Sequence, residues 1–277
     1  MPSIRRDMRT TVRDVREKAG EEPITMLTAY DAVTAEIVDE QGVDVILVGD
    51  SIGNTKLGHE STLPVTVDEM ASATAAVSRA TEDALVVADM PFLSYGHDEK
   101  ESIENAGRML KEAGAHAVKI ESGPHTVELT EKMSQLGIPV MAHLGLTPQR
   151  VNQLGYARQG TTEEAAAEML DLAVAHEEAG AFSLVLEHVP ANVAREVTET
   201  VSMPTIGIGA GPDCDGQVLV VDDAVGLSSW TPSFVEEFGD VRSAMADAVD
   251  SYRDAVESGE FPADEHSHVE DELDGIY

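Results

Sequence analysis

Only one cysteine, Cys214, occurs in the 277 residues, so no disulfide can close within the chain, and a reducing compartment suits it. Aromatic residues make up 4% of the sequence, so a core must be built mainly from Val, Ile, Leu, Ala and Met. No apolar run approaches the roughly 20 residues a membrane helix needs. The opening residues carry basic side chains with no apolar stretch behind them, unlike a signal peptide. A cytoplasmic protein is the expectation. Lysine is scarce too. Six lysines are among 18 basic residues that face 52 acidic ones, for a net charge of −34. Such a charge repels nucleic-acid phosphates and anionic membranes, which excludes both as partners. Regular apolar segments argue against an acidic disordered chain. Acidity spread along the chain fits a halophilic surface, soluble where the Debye length falls to about 3 Å, and structure is expected to be lost at low salt.

What the chain does have is an order. Short apolar runs at residues 24–29, 43–48, 84–88, 117–121, 140–144, 183–187, 205–209 and 218–221 read as strands. Helical patterns lie between them at 32–41, 67–80, 99–113, 126–135, 163–179 and 191–201, and several end at Gly42, Gly114, Gly137 or Gly180. Asp31, directly after the first run, is placed to cap the first of these helices. Strand–helix alternation demands parallel pairing with right-handed crossovers, as a closed barrel or a doubly wound sheet. Eight units, with no Gly-rich dinucleotide turn after the first strand, favour the α/β class and a (βα)8 TIM barrel. One domain over residues 1–258 is expected. It includes a short helical pattern at 12–19 packed outside the barrel and a last helix at 234–258. Residues 259–277 read as an acidic, mobile tail, with His266 and His268 solvated.

Barrel chemistry gathers at the C-terminal ends of the strands. Four of the runs reach a carboxylate there: Asp50, Asp89, Glu121 and Glu187. Any one of them alone would read as a helix cap or a solvated loop residue, but four in one barrel mouth argue otherwise. On the fourth strand, period-two geometry sets Val118 and Ile120 on one face and Lys119 and Glu121 on the other, toward the mouth. An interior lysine is costly to bury without a partner. Asp50, Asp89 and Glu121, on consecutive strands without nearby Cys or paired His, suit a hard cation with oxygen ligands, Mg2+ first. His143 near the end of the fifth strand could face the mouth or be structural. Gly207, Gly209 and Gly211 suit close backbone packing as well as a phosphate, and packing is the simpler reading. Residues 51–66 are long enough to fold over a substrate.

At these positions the sequence resembles the ketopantoate hydroxymethyltransferases, also called 3-methyl-2-oxobutanoate hydroxymethyltransferases. The segments are Thr28-Ala29-Tyr30-Asp31, Val48-Gly49-Asp50-Ser51, Ala88-Asp89-Met90-Pro91-Phe92, Val118-Lys119-Ile120-Glu121 and His143-Leu144-Gly145-Leu146-Thr147-Pro148-Gln149. Leu184-Val185-Leu186-Glu187-His188-Val189-Pro190 and the glycine run through Leu219 complete a match over residues 24 to 238. The resemblance implies a barrel of the phosphoenolpyruvate/pyruvate-like type, forming homo-oligomers. It implies transfer of a one-carbon unit from 5,10-methylenetetrahydrofolate or a related pterin to 3-methyl-2-oxobutanoate, giving 2-dehydropantoate for coenzyme A synthesis. It also implies Mg2+ at Asp50, Asp89 and Glu121, directly or through water. Ser51 and Lys119, with Asp50 and Asp89, would hold the oxo acid, His143 would lie near it, and Glu187 would be the general base. The chain departs from the family pattern at Leu154, Arg158 and Ser233. The changes at Leu154 and Arg158 fall where a donor could approach.

Two other readings compete. A metal-dependent lyase or mutase of the phosphoenolpyruvate/pyruvate group would use similar carboxylates, but Cys214 follows the seventh strand, not the loop position many such lyases use. A non-catalytic acidic barrel that binds cations would scatter its carboxylates over the surface.

Overall fold

The computed structural model describes residues 9–270. Residues 1–8 and the last seven of the expected tail, 271–277, lie outside the described residues. The eight strands are β1 (Ile24–Thr28), β2 (Val45–Val48), β3 (Leu85–Asp89), β4 (Ala117–Glu121), β5 (Val140–Gly145), β6 (Ser183–Glu187), β7 (Thr205–Ile208) and β8 (Gly216–Leu219). Each pairs in parallel with the next and β8 returns to β1, closing the barrel that the alternation predicts. The helices are α1 (Val12–Glu17), α2 (Ala32–Glu40), α3 (Ile52–Thr55), α4 (Val67–Ala80), α5 (Glu99–Lys111) and α6 (Val127–Gln135), then α7 (Val151–Leu154), α8 (Glu163–Glu178), α9 (Ala191–Thr200), α10 (Val221–Ala224) and α11 (Val241–Ser258). Asp31 caps α2 as expected, its carboxylate accepting from Thr34 N at 2.9 Å. None of these helices is long and apolar enough to cross a membrane, among the described residues.

Alternation along each strand sorts the side chains into two layers. Ile24, Met26, Val45, Leu47, Leu85, Val87, Ala117, Met141, Val185, Ile206 and Val218 form one apolar cluster that fills the barrel. Side chains of the other parity, such as Ala142, Leu144, Leu184 and Leu186, pack outward on Met169 and Ala173 of α8 and Val193 and Val197 of α9. The interior parity continues upward into Asp89, Lys119, Glu121, His143 and Glu187. The core thus stops where the polar residues begin, at the C-terminal mouth.

Two expectations are corrected. The helix at 12–19 does not lie outside the barrel: its fully buried Val15 belongs to the interior cluster and plugs the N-terminal end. Lys18, just past α1, reinforces this plug by placing Nζ 2.7 Å from Asp44 Oδ1, in a pair that is largely buried. The last helix begins at Val241, not at 234, because Asp240 caps it by accepting from Ser243 N at 3.1 Å. The short helices α3, α7 and α10 carry too few turns to show a period and were not predicted.

Two compact units divide the chain, one reaching to Val221 and including Pro232–Val235, the other taking Asp222–Thr231 and the residues from Glu236 on. The second unit holds α11. Within it, residues 259–270 form a 3-10 turn at Asp264–His266, and the His266 ring lies 5.1 Å from that of Phe261.

One buried histidine makes the first unit acid-sensitive. His176 on α8 has no exposed surface, and its Nδ1 lies 3.1 Å from Thr130 Oγ1 on α6. Burial holds its pKa down to about 4. The unfolded chain, with an ordinary histidine near 6.5, takes the proton first as pH falls, so stability present above about 6.5 is lost progressively toward about 4. The gap amounts to about 3 kcal/mol. Urea midpoints measured from pH 7 to 4.5 are expected to fall more steeply for the native sequence than for His176→Gln; equal slopes would remove the assignment.

Candidate active site

The residues singled out from the sequence come together at the barrel mouth. Asp50, Asp89, Lys119, Glu121 and His143 are all buried, and Glu187 is about one-fifth exposed. Lys119 Nζ lies 2.7 Å from Asp89 Oδ1 and 3.4 Å from His143 Nδ1. On its other side, His143 Nε2 stands 3.2 Å from Glu187 Oε2, without the alignment of a hydrogen bond. The second oxygen of Asp89 accepts the Asp50 backbone N–H at 3.0 Å. Ser51 joins the group through Gly49: a Cβ there would stand 2.6 Å from Ser51 Oγ and 3.5 Å from Asp89 Oδ2, so the missing side chain gives both their place.

Three neutral residues brace this cluster, and the sequence reading did not assign them. Gln149 donates its amide to Asp50 Oδ2 and to Met90 O, each at 2.9 Å, while its backbone N–H donates to Glu121 Oε1 at 2.9 Å. Tyr95 donates its hydroxyl to Gln149 Oε1 at 2.9 Å and receives the Glu121 backbone N–H at 2.9 Å. Tyr30 OH lies 2.8 Å from Ser51 Oγ. Gln149 was visible in its motif, but without a charge it gave no reason to be separated from the neighbouring residues.

Electrostatics makes the carboxylates unequal. Burial, with Asp89 adding repulsion, raises the Asp50 carboxyl to about 7. Burial, then Asp50, raises Glu121 to about 9. Burial alone would lower Lys119, but Asp89 and Asp50 outweigh it and hold its pKa up. His143 is pushed down by burial first and then by the Lys119 charge, so the imidazole stays neutral. Three buried carboxylates therefore share a single ammonium, and Glu121 Oε2 has no hydrogen-bond partner. A divalent cation with oxygen ligands fits this excess of negative charge. Among the described residues, no three His, Cys, Asp or Glu side chains already surround one point as a metal cage; Lys119 and Gln149 hold the carboxylate oxygens instead.

The remaining candidates divide. Cys214 packs on the outer cluster, away from the mouth. Residues 51–66 turn back on themselves, with His59 N donating to Gly53 O at 2.8 Å and Val65 N to Thr62 O at 3.1 Å. The glycine run serves packing: at Gly209 (φ +60) a Cβ would stand 2.9 Å from the Phe234 ring, and at Gly211 2.4 Å from Ala191 Cβ.

The model of the ketopantoate hydroxymethyltransferase family matches residues 9–264. The chain belongs to that family. A 3-methyl-2-oxobutanoate hydroxymethyltransferase of Haloarcula marismortui is 72% identical over 267 residues, 96% of this chain and 99% of that one. The enzyme of the same name from Geobacter sulfurreducens is 51% identical, over 93% of this chain and 97% of its own. Among solved structures, phosphoenolpyruvate phosphomutase of Streptomyces platensis superposes with a TM-score of 0.62 at 14% identity, covering 90% of this chain and 88% of that one. A 2,3-dimethylmalate lyase of the PEP mutase/isocitrate lyase superfamily gives 0.57 at 16% identity, over 94% and 93%. At these identities the two structures speak for the fold alone, the closed (βα)8 barrel. The hydroxymethyltransferase family assignment extends over nearly the whole chain and includes every candidate residue of the mouth.

Proposed function

We propose that the barrel mouth hydroxymethylates 3-methyl-2-oxobutanoate, with 5,10-methylenetetrahydrofolate or a related pterin as one-carbon donor and water as co-reactant, giving 2-dehydropantoate and the free pterin. The carrying observation is the convergence at one barrel mouth of the buried Asp50, Asp89, Lys119, Glu121 and His143 with the partly exposed Ser51 and Glu187. The C3 hydrogen of the oxo acid is acidic because its loss gives an enolate, so the site must take a proton at carbon and stabilise negative charge at oxygen.

Glu187 takes the C3 proton. Lys119 and Ser51 hold the substrate carboxylate, with Tyr30 fixing the Ser51 hydroxyl. His143 faces the Lys119 ammonium through Nδ1, which leaves its proton on Nε2, 3.2 Å from Glu187. Asp50, Asp89 and Glu121, directly or through water, would hold one Mg2+, which when bound supplies Lewis-acid stabilisation of the charge developing on the 2-oxo oxygen. Support for this metal comes from the oxygen donor set, the charge excess and the unpaired Glu121 oxygen. A related barrel, phosphonopyruvate hydrolase, has been solved with oxalate and Mg++. Gln149 keeps Asp50 and Glu121 apart and oriented. The test needs no donor: in D2O with Mg2+, the protein is expected to exchange the C3 hydrogen of 3-methyl-2-oxobutanoate, and its retention after prolonged incubation would refute the deprotonation step.

A second copy of the chain is the partner we assign. Helix α11 buries none of its residues, yet Val241, Met245, Val249, Tyr252 and Val256 recur at helical spacing as one exposed apolar stripe. Over strands β1 and β8, the outward Thr25 and Gln217 are exposed and Leu27 and Leu219 only half-buried, unlike the fully covered outer faces of β3 to β6. An exposed apolar stripe of this length is the kind of surface that a second copy covers in a symmetric oligomer. Val249→Glu with Met245→Glu is expected to lower the mass seen by sedimentation; an unchanged mass would exclude the stripe as an interface. The net charge of −34 requires high salt for such copies to meet, consistent with a halophilic surface.

A further inference from the structure

Beside Glu187 stands a group that the reaction above leaves unused. His188 follows it directly and adopts φ +49, a left-handed conformation uncommon for a residue with a side chain. Two backbone hydrogen bonds hold it there: its N–H donates to Ile208 O at 2.8 Å, and its carbonyl accepts from Gln159 N at 3.2 Å. Its ring lies 5.5 Å from that of Phe234, tilted by 39°. Phe234 rests on bare backbone at Gly209, where any side chain would displace it. The imidazole Nδ1 is buried without a hydrogen-bond partner. A buried nitrogen left unpaired calls for an explanation, and a polar group of a ligand is one.

We propose that His188 and Phe234 seat the planar heteroaromatic ring of the one-carbon donor, with Phe234 as the stacking surface and His188 Nδ1 as the hydrogen-bonding group. The proposal rests on the transferase reading above. Flat side chains give contact area at low conformational cost, and their π-faces match a planar ring. His188 directly follows Glu187 at the end of β6, so the seat lies at the same end of the barrel as the proposed base. The Gln159 hydrogen bond ties the same place to the loop after β5, where Leu154 and Arg158 depart from the family pattern. The strained backbone at His188 and the glycine at 209 are then two parts of one device. One turns the imidazole toward Phe234, and the other makes room for Phe234.

The test uses the full chain with Mg2+ in molar KCl. His188→Ala and Phe234→Ala are expected to raise KM for methylenetetrahydrofolate and to weaken tetrahydrofolate binding by about tenfold or more. KM for the oxo acid and donor-free C3 exchange should stay within about twofold in both variants. His188→Asn, which tolerates the left-handed backbone and keeps a polar group, should recover part of the loss. Phe234→Leu, which keeps bulk against Gly209 and loses the flat face, should not. Unchanged tetrahydrofolate binding in both alanine variants would overturn the proposal. Donor-free exchange falling as far as donor turnover would also overturn it, because the pair would then act on Glu187. Absence of exchange in the native sequence would count against the deprotonation reading instead, and the binding measurement would still decide the seat.

Discussion

Asp89→Ala is expected to abolish binding of the oxo acid and to destabilise the fold by about 3 kcal/mol, the lower end of the usual range for breaking a buried ion pair. Lys119 is buried and finds its nearest charge at Asp89, 2.7 Å away. Removing Asp89 leaves that ammonium without its hydrogen-bonded partner, and the Asp50 N–H loses its acceptor as well. The loss is moderated by the neighbours. Asp50, held near 7, and Glu121, held near 9, are both raised in part by repulsion from Asp89. Freed of it, they ionise more readily and take over some of the Lys119 charge. Under the proposed role of Lys119, function gains nothing from that compensation, because Asp89 sets the position from which Lys119 would meet the substrate carboxylate. Calorimetric titration with 3-methyl-2-oxobutanoate and Mg2+ checks the first expectation and urea unfolding the second. Normal oxo-acid binding in Asp89→Ala, or in Asp50→Ala, would break the account of the site.

Glu187→Gln should behave in the opposite way, keeping binding and losing chemistry. The side chain is about one-fifth exposed, and its contact within the cluster is His143 Nε2 at 3.2 Å. A glutamine of the same shape therefore leaves the Asp50, Asp89 and Lys119 arrangement untouched. Oxo-acid and Mg2+ affinities are expected to change by less than about threefold, while C3 exchange and turnover fall by about 10²–10⁴, the usual contribution of a general base. Full exchange activity in Glu187→Gln would assign the proton to another group, and His143 would be the first to examine. A barrel that merely bound cations would show no exchange in either form.

The barrel was legible because its signal is periodic. Short apolar runs recur between helical patterns, and Asp31 marks where α2 begins. The charged part of the site was legible for a related reason: Asp50, Asp89, Glu121 and Glu187 interrupt apolar runs at one fixed place, the strand end. Gln149, Tyr95 and Tyr30 were not, since neutral side chains in loops break no pattern: Tyr30 gains its role only when the ends of β1 and β2 meet, and Tyr95 and Gln149 only when the segments after β3 and β5 meet β4. The plug formed by Val15 was misread for the same reason, because a six-residue helix shows an apolar face without showing what it faces. The start of α11 was lost to an apolar stretch before it, Phe234-Val235, which prolongs the helical pattern while Phe234 packs on Gly209. The family motifs added what local physics cannot: the residues alone point to metal-assisted enolate chemistry, and the ordered set of segments narrows it to hydroxymethyl transfer.

The most direct measurement is product analysis on the purified chain in molar KCl with 3-methyl-2-oxobutanoate, 5,10-methylenetetrahydrofolate and Mg2+. The expected result is 2-dehydropantoate formed in step with tetrahydrofolate, and none of either after EDTA; no 2-dehydropantoate in the complete mixture would contradict the transferase, and undiminished product in EDTA would contradict the metal site at Asp50, Asp89 and Glu121.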